Sequence, residues 1–141
     1  MYTARSIASL FPGGAHLLPD PSSPVRHVCI DSRKAAWQPH SVFIALQGAR
    51  ADGHRYIQDA WNHGVRTFLI HDQADTAHLP EGNYIRVPDV LEAFHAMAAY
   101  DRSQYQGTVV AITGSNGKTW VKEWLYMLLY RDTSVYLSPG S

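Results

Sequence analysis

Residues 41–46 read Ser-Val-Phe-Ile-Ala-Leu, a near-continuous apolar run between polar turns. A half-exposed strand alternates apolar and polar positions, whereas a run of this kind suits a strand buried on both faces. Such a strand needs a layer on each side, so the chain is predicted to be α/β, a mixed sheet between helices. The surrounding segments supply those layers. Residues 3–11 read as a short helix with Ile7, Leu10 and Phe11 on one side, stopped by Pro12-Gly13-Gly14. A rigid polar loop (19–24) precedes a strand (25–30) that runs into the turn Asp31-Ser32-Arg33-Lys34. After the loop 47–53, residues 54–63 place Tyr56, Ile57, Ala60 and Trp61 at helical spacing, with Gly64 as the cap. Strands follow at 65–70 and 84–87. Asp89 with Glu92 reads as a capping box opening a helix whose Val90, Leu91, Phe94, Met97 and Ala98 face inward.

The polar stretch 101–107 marks a boundary, giving domains 1–105 and 106–141. Residues 108–138 read as one strand–loop–helix–strand unit, its helix carrying Val121, Trp124, Leu125 and Leu128 on one face. A single such unit cannot cover both sides of its sheet, so the chain is expected to end inside its second domain. Tyr126 and Tyr130 are expected to pack against a neighbour beyond it.

Twelve basic and twelve acidic residues balance, and no basic stripe offers a nucleic-acid footprint. One cysteine, Cys29, excludes an internal disulfide and suits a reducing cytoplasm; in its apolar strand it reads as a small buried residue. No apolar run approaches the roughly 20 residues of a membrane span. The eight histidines form no pair at metal-ligand spacing on a helix face, and His63 and His95 read as solvated helix positions.

The chemistry concentrates at residues 109–125, VVAITGSNGKTWVKEWL. An apolar strand, a glycine turn ending in Lys-Thr, and an amphipathic run are the order a phosphate-binding loop needs. Gly114 and Gly117 let backbone amides close on an anion, and the following helix presents its positive end. Thr113, Gly114, Ser115, Asn116, Gly117, Lys118 and Thr119 are the candidate phosphate-binding residues. Lys118 reaches terminal phosphate oxygens and Thr119 can ligate Mg²⁺, which makes these two the candidate catalytic residues. The general pattern G-x-x-x-x-G-K-[ST] fails, because its first glycine falls on Ile112.

What stands instead, T-G-S-N-G-K-T over 113–119, resembles the loop of the Mur ligase family, ATP-dependent enzymes that extend the peptide of the cell-wall precursor. The continuation Val121-Lys122-Glu123 is most similar to the branch that adds D-alanyl-D-alanine. The related folylpolyglutamate synthetases usually carry Gly-Lys-Gly where Gly117-Lys118-Thr119 stands here. The earlier motifs Asp31-Ser32-Arg33, Phe43 to Gly48 and Asp52-Gly53-His54 resemble, in order, the substrate-holding first domain of the same family. Departures are Ile30 where Thr or Ser is common, Pro39-His40 where a Pro-Gly turn is common, and the bulky Trp120.

The resemblance implies a three-layer domain for UDP-sugar binding over 1–105 and the start of a P-loop ATPase domain over 106–141. It implies UDP-N-acetylmuramoyl-tripeptide, D-alanyl-D-alanine and ATP as substrates with Mg²⁺, joined through an acyl phosphate. It also implies a cytoplasmic, monomeric whole enzyme, with no nucleic acid or membrane partner and this stretch inactive alone. The implied UDP-sugar residues are Ser32, Arg33, Ala45, Gln47, Gly48, Asp52, Gly53 and His54. Physically, Arg33 offers a bidentate fork, residues 45–48 offer backbone groups for a base edge, and helical amides after Asp52 offer an anion site. The residues alone leave simpler roles open: Asp52 as a helix N-cap and Arg33 as a surface partner of Asp31. Two other functions stay open, a non-catalytic UDP-sugar module and an unrelated P-loop NTPase or kinase.

Overall fold

The computed structural model describes residues 2–37, 40–48 and 51–138, and the chain divides into two compact units, 1–105 and 106–141. In the first unit a two-residue strand β1 (Tyr2–Thr3) leads into helix α1 (Ala4–Ala8). Thr3 caps α1 through a reciprocal pair with Ser6, a capping box. Strand β2 (Pro24–Val25) pairs antiparallel with β1, and β3 (His27–Cys29) opens the main sheet. A 3-10 helix (Ser32–Trp37) connects to β4 (Ser41–Ile44). A second 3-10 turn (Gly53–Tyr56) runs into α2 (Ile57–Asn62), followed by β5 (Thr67–His71), β6 (Asn83–Val87) and α3 (Val90–Gln104). Strands β3 to β6 form a parallel sheet in chain order, and a Leu17–Tyr84 bridge adds an antiparallel element on the outer edge of β6.

The sheet is buried on both faces, as the run at 41–46 requires. Val42 and Ile44 join Leu69, Ile85 and Val87 against Ile7, Ala8, Val90 and Ala93 of α1 and α3. The alternate positions Phe43, Ala45, Phe68, Ile70 and Tyr84 pack against Ala35, Ile57 and Ala60 on the other face. Phe68 lies edge-on to Phe43 and stacks on Tyr84. Three layers result, with the α/β class as expected. Each fully buried Phe, Leu, Ile or Val contributes about 1.5–3 kcal/mol relative to exposure.

Differences from the sequence reading have local causes. The segment 25–30 divides between the ribbon and the main sheet. Asp89 caps α3 through the Glu92 amide, but Leu91 is half-exposed and Ala93 is buried instead. Val90, Ala93, Phe94 and Met97 follow the i, i+3, i+4, i+7 stripe, from which Leu91 lies one residue's rotation away. His40 has φ 62°, the left-handed conformation for which glycine is ordinarily chosen, at the position noted above as departing from a Pro-Gly turn. Its neighbour Pro39 lies outside the described residues.

In the second unit, helix α4 (Lys118–Leu129) is present. The expected flanking strands at 108–112 and 134–138 are not formed among the described residues, because a strand exists only through a paired neighbour and none is at hand; Val109 and Val110 are exposed. The apolar stripe of α4 likewise has no buried residue. Tyr126 and Tyr130 stack on each other at 5.5 Å rather than on another element.

Candidate functional site

Four parallel strands deliver their following loops to one edge of the sheet, and ligands of such sheets sit outside the carboxyl ends of the strands. After β3 come Asp31, Ser32 and Arg33. Ser32 is buried at the start of the 3-10 helix. Arg33 donates from Nε and Nη2 to the two carboxylate oxygens of Asp31, at 2.8 and 2.7 Å, and its amide donates to Asp31 Oδ1 at 3.1 Å. The guanidinium fork holds the Asp31 carboxyl well below the usual range, at about 2. Arg33 thus directs Nε and Nη2 to Asp31, the partner that the simpler reading names.

After β4 the chain closes on itself. The amides of Ala45, Leu46, Gly48 and Gly53 donate to Leu69, Ile44, Ala51 and Leu46 carbonyls at 2.8–3.0 Å. Within 45–48, the amides of Ala45, Leu46 and Gly48 are thus engaged inside the chain, and the base-edge reading of this loop rests on its other backbone groups. Gly53 is needed at this closure, because an added Cβ would lie 2.7 Å from the backbone of Ala45 and Leu46. Asp52 caps the turn that follows, accepting from the His54 amide at 3.0 Å and from His54 Nδ1 at 2.7 Å. Those two bonds, the ring first, hold the Asp52 carboxyl below its ordinary range. The first free amide of the turn is thus already satisfied by a carboxylate of the chain.

Beside this loop lies an open cleft of about 550 Å³, lined by Gln47, Asp52, His54, Arg55, Ile57, His71, Gln73, Ala74, Asp75 and Leu79. It brings together three of the predicted residues, Gln47, Asp52 and His54. Ser32, Arg33, Ala45, Gly48 and Gly53 do not line it. The opposite wall, His71 to Asp75, was missed from the sequence, although one signal was present: His71 ends an apolar strand, where a parallel sheet places its ligands. The loop behind that wall is tied down by Arg86, which donates to the Asp72 carbonyl at 3.1 Å and to Thr76 Oγ1 at 2.6 Å. His54 Nε2 accepts the His71 amide at 3.1 Å and joins the two walls.

In the second unit residues 113–117 form an exposed turn that runs into Lys118 and Thr119 at the head of α4. Gly114 has φ 150° and Gly117 has φ 78°, and Gly117 heads α4 with no side-chain cap on the helix amides. Lys118 Nζ reaches back to the Gly114 carbonyl at 2.6 Å, so the ammonium is folded over the turn. A left-handed glycine, an uncapped 12-residue helix and a folded-back lysine together suit an anionic phosphate chain. Thr119 offers one neutral hydroxyl, and no cluster of three His, Cys, Asp or Glu exists among the described residues. That donor set fits Mg²⁺ held chiefly by phosphate oxygens and water. Cys29 is buried, its thiol against the Asp31 carbonyl at 3.0 Å. No helix among the described residues is long and apolar enough to cross a membrane.

The family description "Mur ligase family, catalytic domain" matches residues 24–102. A UDP-N-acetylmuramoyl-tripeptide–D-alanyl-D-alanine ligase of Rickettsia prowazekii is 42% identical over 100 residues, covering 71% of this chain and 22% of that protein. A UDP-N-acetylmuramoyl-L-alanyl-D-glutamate–2,6-diaminopimelate ligase of Cytophaga hutchinsonii is 33% identical over 106 residues, covering 74% of this chain and 21% of that protein. The crystal structure of MurF ligase from Thermotoga maritima in complex with ADP superposes with a TM-score of 0.65 at 30% identity, over 83% of this chain and 26% of that one. The chain therefore spans about a quarter of the length of these relatives.

Proposed function

This chain belongs to the Mur ligase family, and on that footing we propose that it is the substrate-holding part and phosphate loop of an ATP-dependent ligase joining D-alanyl-D-alanine to UDP-N-acetylmuramoyl-tripeptide. The observation that carries the proposal is the cleft at the carboxyl edge, where Gln47, Asp52 and His54 of the family-matched segment converge. The D-alanyl-D-alanine assignment draws on the 42% identity to the Rickettsia prowazekii ligase and on the superposition with the MurF ligase of Thermotoga maritima. Membership of the family removes the unrelated NTPase reading.

In the proposed reaction the terminal carboxylate of the tripeptide takes the γ-phosphoryl group of ATP. The amine of D-alanyl-D-alanine then displaces phosphate from the acyl phosphate. Phosphoryl transfer asks a protein mainly to position groups and neutralise charge. Lys118 supplies a mobile positive charge and the amides of 114–119 supply fixed dipoles for the β- and γ-phosphates. Thr119 would offer one oxygen to Mg²⁺, which when bound would offset the charge that develops on those phosphates. Gln47 and the rim of the cleft orient the nucleotide sugar. Turnover belongs to the whole ligase; the 141-residue stretch is expected to bind substrates without turnover, given the share of its relatives that it spans.

Calorimetric titration of the chain with UDP-N-acetylmuramoyl-tripeptide tests the reading. Saturable one-to-one binding is the expected result. Binding of ATP with none of the nucleotide sugar would refute it. For the whole protein, ADP release is expected only when both the tripeptide precursor and D-alanyl-D-alanine are present.

A further inference from the structure

We propose that His54 is a positioning residue of the nucleotide-sugar cleft, an imidazole that takes the place of a missing strand and fixes the distance between the two walls. The inference rests on the cleft's assignment to the nucleotide sugar. Along β5 the main-chain groups alternate between neighbours: the Leu69 carbonyl accepts from Ala45 on the β4 side, and Ile70 faces β6. His71, two residues beyond Leu69, turns its amide to the β4 side again. There β4 has already ended at Ile44, and the Leu46 amide folds back onto the Ile44 carbonyl at 2.9 Å. No strand carbonyl remains for His71. His54 Nε2 fills that position at 3.1 Å.

An imidazole nitrogen that accepts an amide hydrogen carries none of its own, so the ring hydrogen resides on Nδ1. Nδ1 stands 2.7 Å from Asp52 Oδ1, which accepts it. Both ring nitrogens are thus engaged within the protein, and the side chain is only 18% exposed. The first unit uses the same device at its outer edge. His16 Nδ1 accepts the Arg86 amide at 3.1 Å on the side of β6 that has no further strand, and Nε2 donates to the Phe11 carbonyl at 2.9 Å. Two imidazoles on two strand edges do the work of main-chain carbonyls. The one at the cleft ties the turn that begins at Asp52 to the wall that begins at His71.

Three measurements on this chain test the proposal. Long-range proton–nitrogen correlation spectra are expected to show His54 with its hydrogen on Nδ1, and hydrogen exchange is expected to show a protected His71 amide. His54→Gln can accept from His71 through Oε1 and donate to Asp52 through Nε2, and is expected to keep nucleotide-sugar affinity within about three-fold. His54→Asn reaches Asp52 but not His71, and is expected to lose about ten-fold, as does His54→Ala. Hydrogen on Nε2, an unprotected His71 amide, or equal loss in the Gln and Ala variants would overturn the bridge, the last by making the ring a direct ligand contact. Wild-type affinity in His54→Asn would also overturn it. If His54→Ala does not fold, the Asn and Gln pair carries the comparison. A wild-type chain that shows the Nδ1–H signature and a protected His71 amide yet binds no nucleotide sugar retires the substrate reading and, with it, the positioning role, leaving a purely structural bridge.

Discussion

Replacing Gly53 by alanine places one methyl group where the backbone has no room. The new Cβ would stand 2.7 Å from the Ala45 carbonyl carbon and from the Leu46 nitrogen and oxygen, about 0.8 Å short of the ~3.5 Å at which carbon contacts become favourable. All three neighbours are main chain, so no side chain can swing aside. Overpacking of this kind costs about 1–3 kcal/mol. Moving the turn also stretches the 2.8 Å bond from the Gly53 amide to the Leu46 carbonyl, which contributes about 1 kcal/mol. Gly53 is not in the left-handed region, so alanine's smaller unfolded-state entropy returns up to about 1 kcal/mol. The net expectation is a loss of about 1–3.5 kcal/mol, or roughly 4–28 °C in Tm for a unit of this size. Thermal unfolding followed by circular dichroism measures it. Gly48→Ala in the same loop is the control, since its Cβ would meet only the Ala51 carbonyl at an ordinary 3.7 Å. Equal melting temperatures for the two variants would refute the close-approach reasoning.

His40→Gly relieves a left-handed residue that carries a Cβ and is expected to stabilise the chain by about 0.5–1 kcal/mol, read from chemical denaturation. Arg33→Gln removes the fork on Asp31, and carboxyl-carbon NMR is expected to show that group rising from about 2 toward the ordinary range near ~3.9, with the residue-33 amide and Lys34 still lowering it. Because the folded value is the lower one, the wild-type pair adds stability above pH ~4 and loses it as pH falls toward 2, a dependence weakened in the variant. Burial pushes the Tyr84 phenol up to about 12, so its contribution is complete below pH ~10 and lost as pH rises through that value. Ultraviolet titration of Tyr84→Phe is expected to lack that late step. Lys118→Ala is expected to weaken ATP binding by about ten-fold or more while nucleotide-sugar affinity stays within about two-fold, by parallel titrations.

The sheet was legible because burial on two faces leaves an unambiguous mark, as in 41–46, and because Asp89 and Glu92 announce a helix start through local chemistry. The ribbon β1–β2 was not legible, since strands of two residues carry no period. The 3-10 helix at Ser32–Trp37 was hidden for a similar reason: its polar start reads equally well as a turn. At the cleft, Gln47, Asp52 and His54 were found through their motif, but their partners were not. Arg33 meets Asp31 two residues away, a partner open in the sequence, but that His54 accepts the His71 amide depends on where β4 stops relative to β5. That register is a tertiary fact with no local signature. In the second unit the phosphate turn and α4 follow from glycine placement and helical spacing, whereas a strand at 108–112 requires a partner that these residues do not contain.

The sequential order of the four parallel strands has a consequence for how the first unit comes into being. Each strand pairs with the one made just before it, so every loop closed along the way is short and its entropic cost small. Contacts from the N-terminal segment break this rule: Leu17 bridges to Tyr84, the Asp20 amide meets Asn83, the Arg86 amide meets His16 across 70 residues, and Tyr2 donates to Asp101 across 99. During synthesis the face of the sheet served by α2 is therefore covered as it forms. On the other face α1, made first, can dock as soon as β6 is in place, whereas the cover supplied by α3 is complete only when the chain has passed residue 104. A pause in translation before that point would leave Val42, Ile44, Leu69 and Ile85 without the cover of α3, which makes the last helix of the unit the step on which chaperone demand depends.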